Sequence, residues 1–160
     1  MGSTAPSMNA AFVGTGLILI VGVIGVFRTL PPGRAGLRRW SLALLACTGL
    51  GQIVCGIFTL EDMVAHSLGF LLAAGVPIVA FLVAGRYFRQ LPGWRRFGTW
   101  LRLGSPVTLV LFAAFFATFD ATAEGAEHGV AGLVQRLLVL QVLGWFVAMG
   151  VIAARPTPGD

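Results

Sequence analysis

Five apolar runs divide the chain, at residues 10–27, 40–60, 66–85, 103–119 and 129–154. A helix needs about 20 apolar residues to cross the hydrocarbon core of a bilayer, and each run reaches or approaches that length. Glycines stand inside the first run at 14, 16, 22 and 25, where they either allow close helix contact or are simply tolerated, as membrane helices tolerate them. The second run opens on Trp40 and carries a lone glutamine, Gln52, at its middle. The third contains Pro77, which a membrane helix accepts with a kink. The predicted architecture is therefore all-α, a single integral membrane domain over residues 1–160 built as a bundle of five transmembrane helices.

The polar segments between the runs differ sharply. Residues 28–39 form a turn-rich connector with Pro31-Pro32-Gly33 and four arginines. Residues 61–65 are so short that the second and third runs should fold back as an antiparallel hairpin. Residues 86–102 interleave arginines with Trp94 and Trp100, a mixture that suits a short helix lying on the headgroups. The fourth run can extend toward Trp100 if Arg102 snorkels. Residues 120–128 are acidic, with Asp120, Glu124 and Glu127. Residues 1–9 are small and polar and lack the basic segment and cleavage pattern of a signal peptide.

Composition agrees with the runs. Of the 160 residues, 57% are hydrophobic and only 11% are charged, against about 25% charged in a soluble domain. The mean hydropathy is +0.89. The net charge of +5 comes entirely from arginine, since lysine is absent. Because the arginines border apolar runs, they mark membrane topology rather than a nucleic-acid-binding face. Lysine-free, Arg/Ala/Gly/Leu-rich usage hints at a GC-rich bacterial genome. Cys47 and Cys55 are separated by about 12 Å of helix, too far for a mutual disulfide, and read as packing residues.

Charge also orients the chain. Arginines follow the first, third and fifth runs, and acids follow the second and fourth; only Arg136 and Asp160 break the segregation. By the positive-inside rule the N-terminus lies outside and the C-terminus in the cytoplasm, which fits a multi-pass protein of a bacterial inner membrane.

The candidate chemistry collects at the outer side, where Glu61, Asp62 and His66 occupy the turn of the hairpin and Glu124, Glu127 and His128 the acidic loop. Arg136 lies about 10 Å inside the fifth run, and an arginine at such a depth normally faces protein or a wet cavity and finds a partner. Helical spacing sets His128, Gly132, Gln135 and Arg136 along one stripe. A network linking Gln135 and Arg136 to Glu61, Asp62 and His66 is therefore expected. It would either lock the fifth helix onto the hairpin or form a ligand- or proton-responsive site. Gln141, on another face, serves either an oligomer contact or a local hydrogen bond.

Catalytic chemistry has little to work with. Two histidines without an HExxH or CxxC pattern make a poor zinc set, and Ser67 and His66 are adjacent on a helix and diverge by about 100°. A b-type haem needs paired axial histidines, and only His66 and His128 share a side. No metal and no cofactor is expected.

Several short motifs, in order, resemble those of a bacterial multi-pass membrane family, the domain of unknown function 998 family. They are Asn9–Gly16, Gly49–Phe58 with the acid after it, and His66–Pro77, in which a helix-opening histidine precedes a proline. Pro92-Gly93-Trp94-Arg95 and Gly132-Leu133-Val134-Gln135-Arg136 complete the set. The resemblance covers about residues 9–153. Thr59 replaces the proline of the family's Phe-Pro-x-Asp element, Glu61 stands at its acidic position, and Gln135 replaces a glutamate before Arg136. The family typically has six spans, so the chain is expected to lack the first, either by shortening or because its start lies upstream of Met1. The resemblance implies no activity. The expected role is a non-enzymatic ligand- or lipid-binding or assembly component, whose partners are the bilayer and a second copy or another membrane protein. A small-solute or proton-coupled transporter is the alternative and a membrane-embedded hydrolase the third.

Overall fold

The computed structural model describes residues 5–119 and 130–155. Those residues form helices α1 (Ala5–Thr29), α2 (Ala35–Ile57), α3 (Met63–Phe70), α4 (Val76–Phe88), α5 (Arg95–Thr118) and α6 (Ala131–Ala153). A π-helical turn, Leu71–Gly75, joins α3 to α4, so that Met63–Phe88 runs as one spanning segment. Five segments of 23 to 26 residues are thus long and apolar enough to cross a membrane. At 1.5 Å per residue they reach about 35–39 Å, somewhat more than the hydrocarbon core.

The helices begin and end where turn chemistry dictates. Pro31-Pro32-Gly33 closes α1 from α2, with Gly33 at φ +49°, and the second helix starts at Ala35 rather than near Trp40. Pro92-Gly93, with Gly93 at φ +76°, performs the same service before α5. The separate headgroup helix expected within residues 86–102 is not formed: α5 starts at Arg95 and runs unbroken to Thr118. Arginines at the ends of spans do not stop a helix, because their long stems let the charge reach water while the backbone stays helical. Trp94, expected at the interface, is buried instead. It stacks on Phe88 at 4.9 Å between centroids and meets Phe97 edge-on at 5.7 Å.

Pro77 explains the π turn. Proline offers no N–H to the carbonyl of Ala73 and its ring crowds that carbonyl. The chain widens there, and the Val76 N–H reaches back five residues to the Leu71 carbonyl. In α5, Pro106 is accommodated without such a turn, and the neighbouring Ser105 hydroxyl donates to the Ile78 carbonyl of α4 at 2.6 Å.

Consecutive spans pack antiparallel, and backbones meet at glycines. Gly16 of α1 and Gly49 of α2 face each other's carbonyls so closely that a Cβ on either would collide with the partner backbone. Gly51 of α2 lies against Gly69 and Ala73, and Gly85 of α4 against Gly98 of α5. Gly14, Gly22 and Gly25 meet nothing within 4 Å in the direction of a Cβ, so only Gly16 of the four makes the contact its composition allowed. The fifth span is joined differently. The Gln141 side-chain amide donates to the Gly104 carbonyl at 3.2 Å, the Thr108 hydroxyl lies 3.0 Å from Gln141 Oε1, and Trp145 covers Gly104. Gln141 is thus a local hydrogen bonder between α5 and α6.

The segment ending in α4 is the axis of the bundle. Ala80, Phe81, Ala84, Tyr87 and Phe88 have no exposed surface, and α1, α2, α5 and α6 all contribute to the core around them. Outside, the pattern inverts: Ile18 is 73% exposed, Val21 68% and Leu140 68%. A continuous apolar exterior of this kind is stable against lipid, not water.

Reciprocal glycine contact yields a direct test. Gly49→Val should cost about 1–3 kcal/mol by overpacking, read as a lower thermal unfolding midpoint in detergent, whereas Gly22→Val should leave the midpoint unchanged. Equal effects of the two substitutions would remove the close contact from the account of stability.

Candidate functional site

The expected polar residues divide between two places. Glu61 and Asp62 lie in the turn between α2 and α3 and His66 in the first turn of α3, while Gln135 and Arg136 lie in the second turn of α6. Glu124, Glu127 and His128 fall outside the described residues. Within the hairpin turn each group has a local task. Asp62 is the N-cap of α3, its carboxylate accepting from the Ala65 amide at 3.1 Å. His66 Nδ1 is 2.8 Å from the Phe58 carbonyl, which can only accept, so this nitrogen carries the proton. The Cys55 thiol lies 3.6 Å from the His66 carbonyl, closing the hairpin from the α2 side. His66 sits inside α3 rather than opening the helix, because the cap is Asp62.

Neither Gln135 nor Arg136 is hydrogen-bonded or ion-paired to Glu61, Asp62 or His66 among the described residues. Arg136 is exposed, and α6 packs along α5 and against α1, away from the hairpin turn. Helical side chains lean toward the N-terminus of their helix, so Arg136 leans toward the near end of α6 and the membrane surface beyond it.

The opposite end of the bundle carries a second, more developed arrangement. Ten arginines lie on the side of the 30–34 and 89–94 connectors and the end of α6 (eleven in the chain less Arg136), and both described carboxylates lie at the other end. Between the start of α2 and the end of α4 is an open cavity of about 960 Å³, lined by Arg34, Ala35, Gly36, Leu37, Arg86, Arg89 and Gln90. In the sequence these arginines mark topology only, because their convergence depends on a long-range contact.

That contact is made by Tyr87. Its ring stacks on Phe27 at 5.4 Å, its hydroxyl donates to the Pro31 carbonyl at 3.0 Å, and the backbone of Gly33 passes directly over the ring. A side chain at Gly33 would meet both the ring and an unfavourable positive φ. Arg38 secures the same corner, its guanidinium donating to the Phe27 carbonyl at 2.6 Å. The 30–34 connector is thereby fastened to α4, which sets Arg34 opposite Arg86 and Arg89.

Helical spans, an apolar exterior and a polar clasp at each end define a polytopic helical membrane protein. Residues 2–152 match the model of the family described as protein of unknown function (DUF998), and the chain belongs to that family. No curated protein and no solved structure matches it.

Two outcomes check this description. Asp62→Ala should cost about 0.5–2 kcal/mol of stability through loss of the cap, and Asp62→Asn should restore most of it. In a double-mutant cycle, Arg136→Leu and Glu61→Gln should be additive in thermal unfolding, with a coupling below about 0.5 kcal/mol. A larger coupling would reinstate a pairing between α6 and the hairpin turn.

Proposed function

We propose that the chain is a non-enzymatic binding component of a bacterial inner membrane, with its N-terminus outside and its arginine-rich end in the cytoplasm. Its ligand or lipid occupies the cavity between α2 and the end of α4. One observation carries this reading: Arg34, Arg86 and Arg89 line one open cavity of about 960 Å³, beside which the Tyr87 hydroxyl fastens the 30–34 connector to α4. Charges that serve topology need only lie on the correct side of the membrane, so convergence on a shaped and braced cavity calls for a further reason. The exposed Trp40 and Trp100 on the same side fit placement of that cavity at headgroup depth. Orientation is supported by the arginine distribution, and the bacterial setting by the lysine-free composition.

A second reading, a small-solute or proton-coupled transporter, draws on a different feature. Ser41, Thr48 and Gln52 are buried along one stripe of α2, and the Ser41 and Thr48 hydroxyls have no hydrogen-bond partner among the described residues. Unpaired hydroxyls in the interior are costly and are a common lining of polar paths.

The two readings separate in one pair of measurements on the purified chain. Binding predicts a ligand-dependent rise in thermal midpoint in detergent, abolished by Arg34→Gln with Arg89→Gln, and no flux in proteoliposomes. Flux that is lost on Thr48→Val would overturn the binding reading in favour of transport.

A further inference from the structure

Resting on the binding reading, we infer that the arginine-lined cavity takes a phosphate-bearing anion with two negative charges, seated between the start of α2 and the end of α4. Several independent features select that chemistry.

The three guanidiniums come from separated parts of the chain, Arg34 from the 30–34 connector and Arg86 and Arg89 from the last turn of α4 and its cap, and all three are exposed. Like charges gathered in this way repel, and no described carboxylate lies at this end to offset them. An anion bound among them would relieve that repulsion. Guanidinium presents a planar fork that matches phosphate oxygens two at a time, and several forks favour a group with more than one charge.

The backbone offers donors in the same place. The first helical bond of α2 is from the Arg38 amide to the Arg34 carbonyl, so the amides of Ala35, Gly36 and Leu37 precede it without intrahelical partners. Arg34, the N-cap, makes no side-chain capping bond. Gly36 meets nothing within 4 Å in the direction of a Cβ, which leaves the backbone open to close approach. The amides and guanidiniums line one cavity, and Gln90 adds a neutral side-chain donor or acceptor at its edge.

The site is braced rather than loose. Tyr87 lies between Arg86 and Arg89 in the chain, is fully buried, and holds the Pro31 carbonyl beside Arg34. Ordering the arginines therefore costs less on binding than it would on free loops. At headgroup depth the available anion is a lipid carrying two charges; a soluble phosphate ester entering from the aqueous side offers the same group.

The test uses the full chain in detergent, with cardiolipin, phosphatidylcholine and glycerol phosphate as probes, read by native mass spectrometry and by thermal shift. Arg34→Gln with Arg89→Gln is compared with Arg39→Gln with Arg95→Gln, which removes equal charge from the same end outside the cavity; both pairs leave the remaining arginines to hold topology. Cardiolipin should bind in preference to phosphatidylcholine, and the cavity pair should weaken it at least about tenfold more than the control pair. Competition by glycerol phosphate, with the same dependence on the two pairs, identifies a soluble ester as the source and upholds the phosphate chemistry. Equal weakening by the two pairs shows a diffuse field and overturns the site. Phosphatidylcholine bound as tightly as cardiolipin, and lost only in the cavity pair, retains the binding reading but overturns the dianion. No binding of any probe to a chain that keeps its thermal midpoint overturns the phosphate inference, while a thermal response to other ligands would keep the binding reading alive. Arg34→Lys with Arg89→Lys, which keeps the charge and loses the fork, should bind more weakly than the native chain even if the glutamine variants fail to fold.

Discussion

Close approach of helix backbones is the constraint on which the rest of the structure depends. Lipid tails are as apolar as leucine, so a membrane bundle gains little from hiding hydrocarbon and must gain from contact density. Glycine supplies that density where a side chain would hold two helices apart. The pairs Gly16–Gly49, Gly51–Gly69 and Gly85–Gly98 join consecutive spans one after another, and Trp145 over Gly104 completes the series. Their combined effect falls on the segment ending in α4, whose Ala80, Phe81, Ala84, Tyr87 and Phe88 are drawn into the core while Val79 stays exposed. A central helix with its last turn locked by Tyr87, Phe88 and Trp94 can then present Arg86 and Arg89 at a fixed height and angle.

The two ends of the bundle solve the same problem with opposite chemistry. At the hairpin end, five residues must reverse the chain between α2 and α3, and the polar groups there are consumed by the reversal. Asp62 caps α3, His66 takes up the Phe58 carbonyl, and Cys55 reaches the His66 carbonyl. A carboxylate and an imidazole so employed have their geometry set by the backbone they satisfy. At the other end, turn formation is delegated to Pro31-Pro32-Gly33 and Pro92-Gly93, and the backbone carbonyls are taken by Tyr87 and Arg38. Arg34, Arg86 and Arg89 have no part in making the turns and remain available to a ligand.

Much of this was legible in the sequence, and the limits were physical. Five spans follow from apolar length alone. The family followed from short ordered motifs such as Pro92-Gly93-Trp94-Arg95, and the matching family model bears it out. Helix boundaries were less accessible, because hydropathy falls at the headgroups while the helix continues: α2 begins at Ala35 and α5 at Arg95, each before the apolar run it contains. The better signals were proline and glycine, which end helices for steric reasons that do not depend on the solvent. Asp62 before an apolar run had the form of an N-cap and could have been read as one. The arginine cavity could not, since residues 34 and 86–89 are brought together by long-range contacts, among them the bond from Tyr87 to a carbonyl 56 residues away.

Topology and binding are not rival explanations of the arginines. Insertion reads charge by side of the membrane and is indifferent to whether guanidiniums converge, so any of the ten could be moved along its connector without affecting orientation. Convergence is a separate property that must be built and maintained. Here it comes with a glycine at positive φ, a tyrosine buried at the arginine-rich end of the central helix with its hydroxyl donating to one carbonyl, and a helix start without a side-chain cap. Charge placement for topology requires none of these features. Their coincidence at one cavity is what distinguishes Arg34, Arg86 and Arg89 from the arginines around them, and it is the physical basis for the proposal that the cavity takes a ligand.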